Sequence, residues 1–305
     1  VAPIPAAEVD VTIDLVRGLL ASQHPDLADL PLELVAHGWD NEVLRLGDDL
    51  ALRIPRRELG ARLVRHEQEW LPVLAPRLPT PVPVPVRVGS PSDGAHGPAY
   101  PWWWSVVPWF DGEAVVRSAV DERRTLARPL AAFVTALHRP APDDAPVNAY
   151  RGVPLAVRDA GIRERLDAHP LPERAALLDL WDRLRTTPEW DGPPLWVHGD
   201  LHPANLLASP DEAGTLALSA VIDFGDVTSG DPASDLATAW LTFDAEGRRE
   251  FRELVSRAGV ADTAMWDRAR AWAAVFAVLL VTSSDDAPQL HAIGAHGLAQ
   301  VLSGE

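Results

Sequence analysis

WVHGDLHPANLL, residues 196–207, and AVIDFGD, residues 220–226, decide how this chain is read. Each opens on an apolar, strand-like stub and then delivers polar residues to a loop, the usual way to hold reactive groups on a rigid scaffold. In the first, Asp200 and Asn205 stand five residues apart; in the second, Asp223 is a lone carboxylate directly after Val221 and Ile222. His198, Asp200 and His202 also form an H-x-D-x-H string, which a zinc hydrolase would have to supplement with further ligands nearby. His198 is expected instead to brace its loop through the ring.

Upstream of this pair the chain is strand-rich. An amphipathic helix is expected near residues 9–20, with Val11, Leu15, Leu19 and Leu20 on one side. Strands follow at about 32–36, 42–46 and 50–54, the last two joined by Gly47, Asp48 and Asp49, a hairpin signal. The next helix, from 57 to about 74, carries an apolar stripe of Leu59, Leu63, Trp70, Leu71 and Leu74. Residues 79–88 alternate proline and valine and fit an extended, rigid segment. After the apolar run 102–110 the pattern turns helical, with helices expected at 121–137, 155–166, 172–184, 231–241, 248–258, 264–280 and 288–302, and a strand at 215–222. This segregation predicts an α+β fold in two lobes, residues 1–107 and 108–305, joined near 107–112.

Composition narrows the partners. The chain has 305 residues, 44 acidic against 27 basic, for a formal charge of -17, and contains no lysine. So acidic a chain repels phosphate backbones and anionic lipid surfaces, so neither nucleic acid nor a membrane is an expected partner. Zero cysteine excludes disulfides, thiol nucleophiles and Cys-bound metals together. The acids Glu8, Asp10 and Asp14 argue against a signal peptide, and the apolar run 271–281 is too short to span a bilayer. A cytoplasmic, soluble protein is expected.

An aspartate, an asparagine five residues on and a later aspartate follow the logic of phosphoryl transfer. A hydroxyl nucleophile needs a carboxylate to orient it and take its proton, which suits Asp200. Mg²⁺ wants hard oxygens and few protein ligands, which suits Asn205 and Asp223. HGDLHPAN, IDFGD and then GDPASDLA at 230–237 resemble the aminoglycoside phosphotransferase family of small-molecule kinases, which share the protein-kinase-like fold. HGWDNEVLRLGDDLALRIPR, residues 37–56, and EQEWLPVLAPRLPTPVP, residues 67–83, are similar to a branch containing macrolide phosphotransferases. The likeness is collinear over roughly residues 35 to 240.

The resemblance implies a small β-rich nucleotide lobe and a larger helical lobe, with ATP or GTP as donor and Mg²⁺ as cofactor. It also implies a β3 cation on the phosphates, paired with a glutamate of the next helix. That cation is lysine in the family and Arg53 here. Glu67 lies on the inward stripe of its helix and needs a cation, for which Arg53 is the natural partner. Arginine keeps the charge and a bidentate fork but is bulkier. A second departure is the nucleotide loop, where 36–42 offers only Gly38, followed by Trp39, Asp40 and Asn41. The base is expected at the joint, against backbone groups of Val107 to Trp109, with Pro108 removing one donor.

Among the remaining polar residues, His202 is expected to line the site beside phosphate or substrate. Asp235 is expected to anchor the Asp200 loop, and Asp231 to cap its helix or face the substrate. Asp226 is read as an ordinary loop acid. Asp285 and Asp286 either cap the last helix or hold an amine of the substrate. Of Trp102, Trp103 and Trp104, one is expected in the core and another in the cleft, while Trp240, Trp266 and Trp272 are read as helix-packing residues. These readings converge on a kinase moving the γ-phosphoryl group of Mg-ATP or Mg-GTP to a hydroxyl of a small molecule. The acceptor is expected to be an antibiotic, such as an aminoglycoside or macrolide, inactivated by the transfer. The alternatives are a metabolic kinase for a sugar, amino alcohol or ketosamine, and a catalytically silent nucleotide-binding module.

Overall fold

The computed structural model describes residues 6–38, 40–284 and 287–303, so Trp39, Asp285 and Asp286 lie outside the described residues. The first lobe is built on an antiparallel five-stranded sheet in the order β1-β2-β3-β5-β4. Its strands are β1 (Leu32–His37), β2 (Asn41–Leu46), β3 (Leu50–Pro55), β4 (Arg87–Gly89) and β5 (Trp104–Pro108). β2 and β3 form the expected hairpin, with Leu46 opposite Leu50 and Gly47 at φ 62°, a left-handed turn position that glycine takes without strain. Residues 79–86 form no strand, and Val84 N donates to Val82 O at 2.8 Å, so only the last part of the proline-valine segment joins the sheet.

Helix α1 (Ile13–Gln23) starts four residues later than its apolar pattern suggests, because Thr12 caps it, its Oγ1 accepting from Leu15 N at 3.2 Å. α1 lays Val16, Leu19 and Leu20 against Leu44, Leu46, Leu52, Ile54, Tyr100, Trp104 and Val106, which together form the first hydrophobic core. Trp104 is fully buried there, whereas Trp103 is 36% exposed beneath the Arg65 guanidinium at 4.4 Å. The expectation of a tryptophan in the cleft is corrected: Arg65 lies on the solvent face of its helix, and Trp103 stacks outside with it.

Helix α2 (Glu58–Leu74) buries the C-terminal part of its predicted stripe and departs from it in the first turns. Val64, Glu67, Trp70, Leu71 and Leu74 are buried, and Leu59 is half exposed. Its last turns pack into the larger core of the second lobe, Trp70 meeting Trp196 at 5.0 Å between ring centroids. α2 is tied to the first lobe's sheet instead by Gln68 Nε2, which donates to Trp104 O at 2.9 Å.

The second lobe holds helices α3 (Ala127–Leu137), α4 (Asp159–Ala168), α5 (Arg174–Leu184), α6 (Ala233–Leu236), α7 (Thr238–Thr242), α8 (Ala245–Arg257), α9 (Thr263–Ser283) and α10 (Pro288–Leu302). α3 and α4 are each preceded by a 3-10 turn, and the helix predicted at 231–241 is divided into α6 and α7. Five short strands also lie here, not the single one expected: β6 (Glu113–Ala114), β7 (Leu195–Val197), β8 (Leu206–Pro210), β9 (Leu216–Val221) and β10 (Thr228–Gly230). β9 is the expected strand and β7 the strand-like stub at 196–197, while β6, β8 and β10, of two, five and three residues, are too short to show a clear period of two.

α9 is apolar nearly all round because it runs through the core, with Trp272, Phe276 and Val278 buried. No helix among the described residues is long and apolar enough to cross a membrane. Trp240 and Trp266 pack edge to face at 6.3 Å between α7 and α9. At the start of α8, Asp244 accepts from Gly247 N at 3.0 Å and pairs with Arg124. Burial would raise the Asp244 carboxyl, but the Arg124 and Gly247 hydrogen bonds hold it below the usual range. Asp244→Ala is expected to cost about 1–2 kcal/mol in urea unfolding at neutral pH. A carboxyl depressed in the folded state stabilises above its unfolded pKa and ceases to do so as pH falls through its folded one. The mutant and parent curves should therefore converge in acid.

Candidate active site

The two polar stretches leave neighbouring strands. WVHGDLHPANLL runs from β7 to β8 and AVIDFGD from β9 to β10. β7 pairs with β10 and β8 with β9, so both loops open on one side. They are tied directly where Ile222 N donates to Asn205 O at 3.0 Å. Gly199, at φ 87°, lets the first loop pass the second; a side chain there would collide with the Asp226 carbonyl.

His198 braces this crossing. Its Nε2 lies 3.1 Å from Ile222 O and its Nδ1 accepts from Asp200 N at 3.2 Å, which assigns the proton to Nε2. With both ring nitrogens committed, His198 is not a metal ligand. Below it, fully buried Asp235 accepts from His198 N at 2.7 Å and Gly199 N at 2.9 Å, and pairs with His138 Nε2 at 3.1 Å. Asp231 is spent on structure: it caps Ala233 N at 3.0 Å and forms a buried ion pair with Arg268 at 2.7 Å. Both of its carboxylate oxygens are thus engaged, in the arrangement of the capping alternative.

Asp200, Asn205, His202 and Asp223 converge. Asn205 Nδ2 donates to Asp200 O at 2.9 Å and to Asp200 Oδ2 at 3.2 Å, and His202 Nε2 is 3.3 Å from the same carboxylate oxygen. Burial would push the Asp200 carboxyl up, but His202 first, then Arg151 and His198, hold it well below the usual carboxylate range. Burial conversely lowers His202, and Asp200 and Asp223 outweigh it, leaving the imidazole raised. The pair is an ionised carboxylate beside an imidazole inclined to carry a proton.

Asp223 has φ 64°, the one left-handed non-glycine among the described residues. Such a backbone costs about 1 kcal/mol or more and persists where surrounding contacts impose it. The clamp is Arg53, whose Nη2 is 3.1 Å from Asp223 Oδ1 and whose Nε is 3.1 Å from Glu67 Oε2. Glu67 Oε1 accepts from Phe224 N at 3.0 Å, so β3, α2 and the Asp223 loop meet at one buried cation. Burial pushes the Glu67 carboxyl up to about 7, Arg53 only partly offsetting it.

In the nucleotide loop and at the joint, several backbone amides are already engaged. Gly38 N donates to Asn41 O at 2.9 Å within the β1–β2 turn, so this amide is not free for phosphate. Trp109 N donates to Asp49 O at 2.7 Å, so it is not a donor to a base. Hydrogen-bonded pairs alternate along an antiparallel ladder, so Val107, opposite Ala51, is tied to β3 in the same way. Pro108 falls where β3 needs no amide. Asp226 accepts from Asn148 Nδ2 at 2.8 Å and faces Arg151 at 4.0 Å.

Arg151 is the site residue the sequence reading missed. Its Nη2 is 3.4 Å from Asp200 Oδ1, and its guanidinium lies over the Phe276 ring at 4.8 Å. Arg151 lies in an irregular segment ahead of the helix expected at 155–166, so no periodic pattern marked it.

Residues 31–272 match the phosphotransferase enzyme family, to which this chain therefore belongs. Among solved structures, the GDP complex of wild-type aminoglycoside 2'-phosphotransferase-IIIa superimposes with a TM-score of 0.70 at 19% identity, over 95% of this chain and 99% of that one. The GDP and kanamycin complex of APH(2")-IIIa gives 0.66 at 20%, over 93% and 96%. Macrolide 2'-phosphotransferase MphH from Brachybacterium faecium, as the apoenzyme, gives 0.61 at 22%, over 93% and 98%. The fold is the two-lobed, kinase-like α+β fold of these phosphotransferases. No curated protein matches the chain.

Proposed function

We propose that the protein transfers the γ-phosphoryl group of Mg-ATP or Mg-GTP to a hydroxyl of a small molecule. The observation that carries this reading is the junction of Asp200, Asn205 and Asp223 with the buried Arg53–Glu67 pair. The nucleotide lies between the lobes, 1–107 and 108–305. Arg53, held by Glu67, meets its phosphates. Asn205 and Asp223 fit Mg²⁺: the amide Nδ2 is committed to Asp200, which leaves its oxygen, and the Asp223 carboxylate is half exposed with one oxygen on Arg53. Two hard oxygens suffice for an ion that keeps waters and phosphates as its other ligands, and the bound ion supplies charge neutralisation on the phosphates.

Asp200, kept ionised by its neighbours, accepts a hydrogen bond from the acceptor hydroxyl and aligns it. The hydroxyl oxygen bonds to the γ-phosphorus as the bond to the β,γ-bridging oxygen breaks. The proton passes to Asp200 and the nucleoside diphosphate leaves. His202 holds the Asp200 carboxylate from one side and Arg151 from the other.

An antibiotic or related glycoside is the acceptor class the family supports; a metabolic acceptor is the second reading, favoured by Arg151 beside Asp200. The intact Asp200, Asn205 and Asp223 speak against a silent module. Thermal unfolding with ATP or GTP, with and without Mg²⁺, followed by mass spectrometry across aminoglycosides, macrolides and hydroxylated metabolites, tests the reading. Mg²⁺-dependent stabilisation and phosphate addition to one class are expected. Binding without any product would replace the kinase with the silent module.

A further inference from the structure

An open pocket of about 540 Å³ lies between α4, the C-terminal half of α9 and the segment at Tyr150 and Arg151. Arg151 lines it and also touches Asp200 at 3.4 Å, so the pocket adjoins the proposed catalytic carboxylate. Its α4 side is one helix face, Arg158, Gly161, Arg165 and Ala168 following at spacings of three and four. A side chain at Gly161 would meet nothing within 4 Å, so that face is open.

The charge of this wall is opposite to that of the chain. Three arginines line the pocket against a single exposed acid, Glu164, among the described residues, in a chain of net charge -17. Arg151 is paired with Asp200 and Asp226, whereas Arg158 and Arg165 have no acidic partner among the described residues. Arg165 Nη1 is fixed by Ser283 Oγ at 2.7 Å and Thr282 Oγ1 at 3.3 Å, both hydroxyls. Arg158 rests over the Tyr150 ring at 5.5 Å, and its buried Nε has no hydrogen-bond partner. Burial first, then the like charges of Arg151 and Arg165, lower the Arg158 guanidinium from its ordinary value. Positioned but unpaired guanidinium groups with donors to spare match a planar carboxylate or a phosphate, and they repel polyamines.

We propose that this pocket receives the acceptor and that the acceptor is an anion, its carboxylate or phosphate seated on Arg158 and Arg165 while a hydroxyl of the same molecule reaches Asp200. The inference rests on the kinase reading above and names its substrate class. It sets the chain apart from a kinase for polycationic aminoglycosides.

The test uses the full chain with Mg-ATP and Mg-GTP and matched acceptors: gluconate, gluconamide, glucose 6-phosphate, glucosamine and kanamycin. Product is followed by mass spectrometry, and binding by calorimetry on protein saturated with Mg²⁺ and a non-hydrolysable nucleotide. The acid or the sugar phosphate is expected to be preferred over the amide by about tenfold or more, as for a charge-assisted hydrogen bond. Gluconate and glucose 6-phosphate separate the carboxylate from the phosphate source. Arg158→Gln and Arg165→Gln should shrink the acid-to-amide preference through KM, and Arg158→Lys should restore part of it. A merely structural role would lower both acceptors alike. Transfer to glucosamine or kanamycin with no anion bound, an unchanged preference in both variants, or neither binding nor transfer of any anion would overturn the proposal. Failure of Mg-nucleotide to bind at all would instead remove the kinase reading beneath it.

Discussion

Asp200→Asn is expected to lower kcat by about 10³-fold, within the range for removing a general base, while the nucleotide still binds. Asparagine preserves the shape of the site and can still meet Asn205 and His202, so the loop keeps its path. What it loses is the acceptor for the hydroxyl proton and the anion that aligns the nucleophile. Because His202 and Arg151 hold Asp200 ionised, the native carboxylate is available across the working pH range. Its low basicity makes it more an orienting group than a strong base, which suits a loose phosphoryl-transfer transition state in which the proton moves late. Single-turnover kinetics and nucleotide titration separate the two effects. Unchanged turnover in Asp200→Asn would sink the mechanism, and a loss matched by equal loss of nucleotide affinity would point to a damaged fold.

The polar core of the site was legible because its chemistry is local in sequence. Asp200 and Asn205 share one loop, and Asp223 follows a short buried strand; five residues of separation suffice for the Asn205 amide to close on Asp200. Glu67 was legible for a different reason, since a carboxylate on the inward face of a helix demands a cation, and a lysine-free chain leaves only arginine to supply it. Arg151 was not legible, since it sits in an irregular segment whose position is set by backbone contacts to β10, Ser229 N to Pro146 O at 2.9 Å and Asp231 N to Gly152 O at 2.8 Å. The engagement of the Gly38 and Trp109 amides was not legible for a related reason. Whether an amide is free depends on strand register, and no residue identity encodes that.

The overall charge had pointed away from anionic partners, and the pocket beside Asp200 reverses that locally. A sum over 305 residues weights every exposed acid equally, whereas an acceptor samples a few groups within one Debye length, about 8–10 Å. In the pocket lining, Arg151, Arg158 and Arg165 stand against Glu164 among the described residues. The total speaks to long, many-contact partners such as nucleic acid and is silent on a small ligand.

Removing Arg53 is expected to be the most damaging change to stability. Arg53→Met leaves the Glu67 carboxyl buried without its cation and frees Asp223 from the contact that holds its left-handed backbone. Breaking one side of a buried pair typically costs about 3–5 kcal/mol, which a urea midpoint at pH 7 would show. Arg53→Met with Glu67→Leu removes the stranded carboxylate and replaces the pair with apolar packing, so most of that stability should return. Activity should not. If Arg53 meets the nucleotide phosphates, the double variant folds and still loses about 10²-fold or more in kcat/KM, the usual loss of a preorganised charge facing the transferring group. Recovery of both stability and turnover in the double variant would show Arg53 to be a structural cation alone. Arg53→Lys divides the remaining question: it keeps the charge but gives up the fork that reaches Glu67 through Nε and Asp223 through Nη2. A folded Lys variant with weakened nucleotide binding would show that the fork, rather than the charge alone, joins β3, α2 and the Asp223 loop.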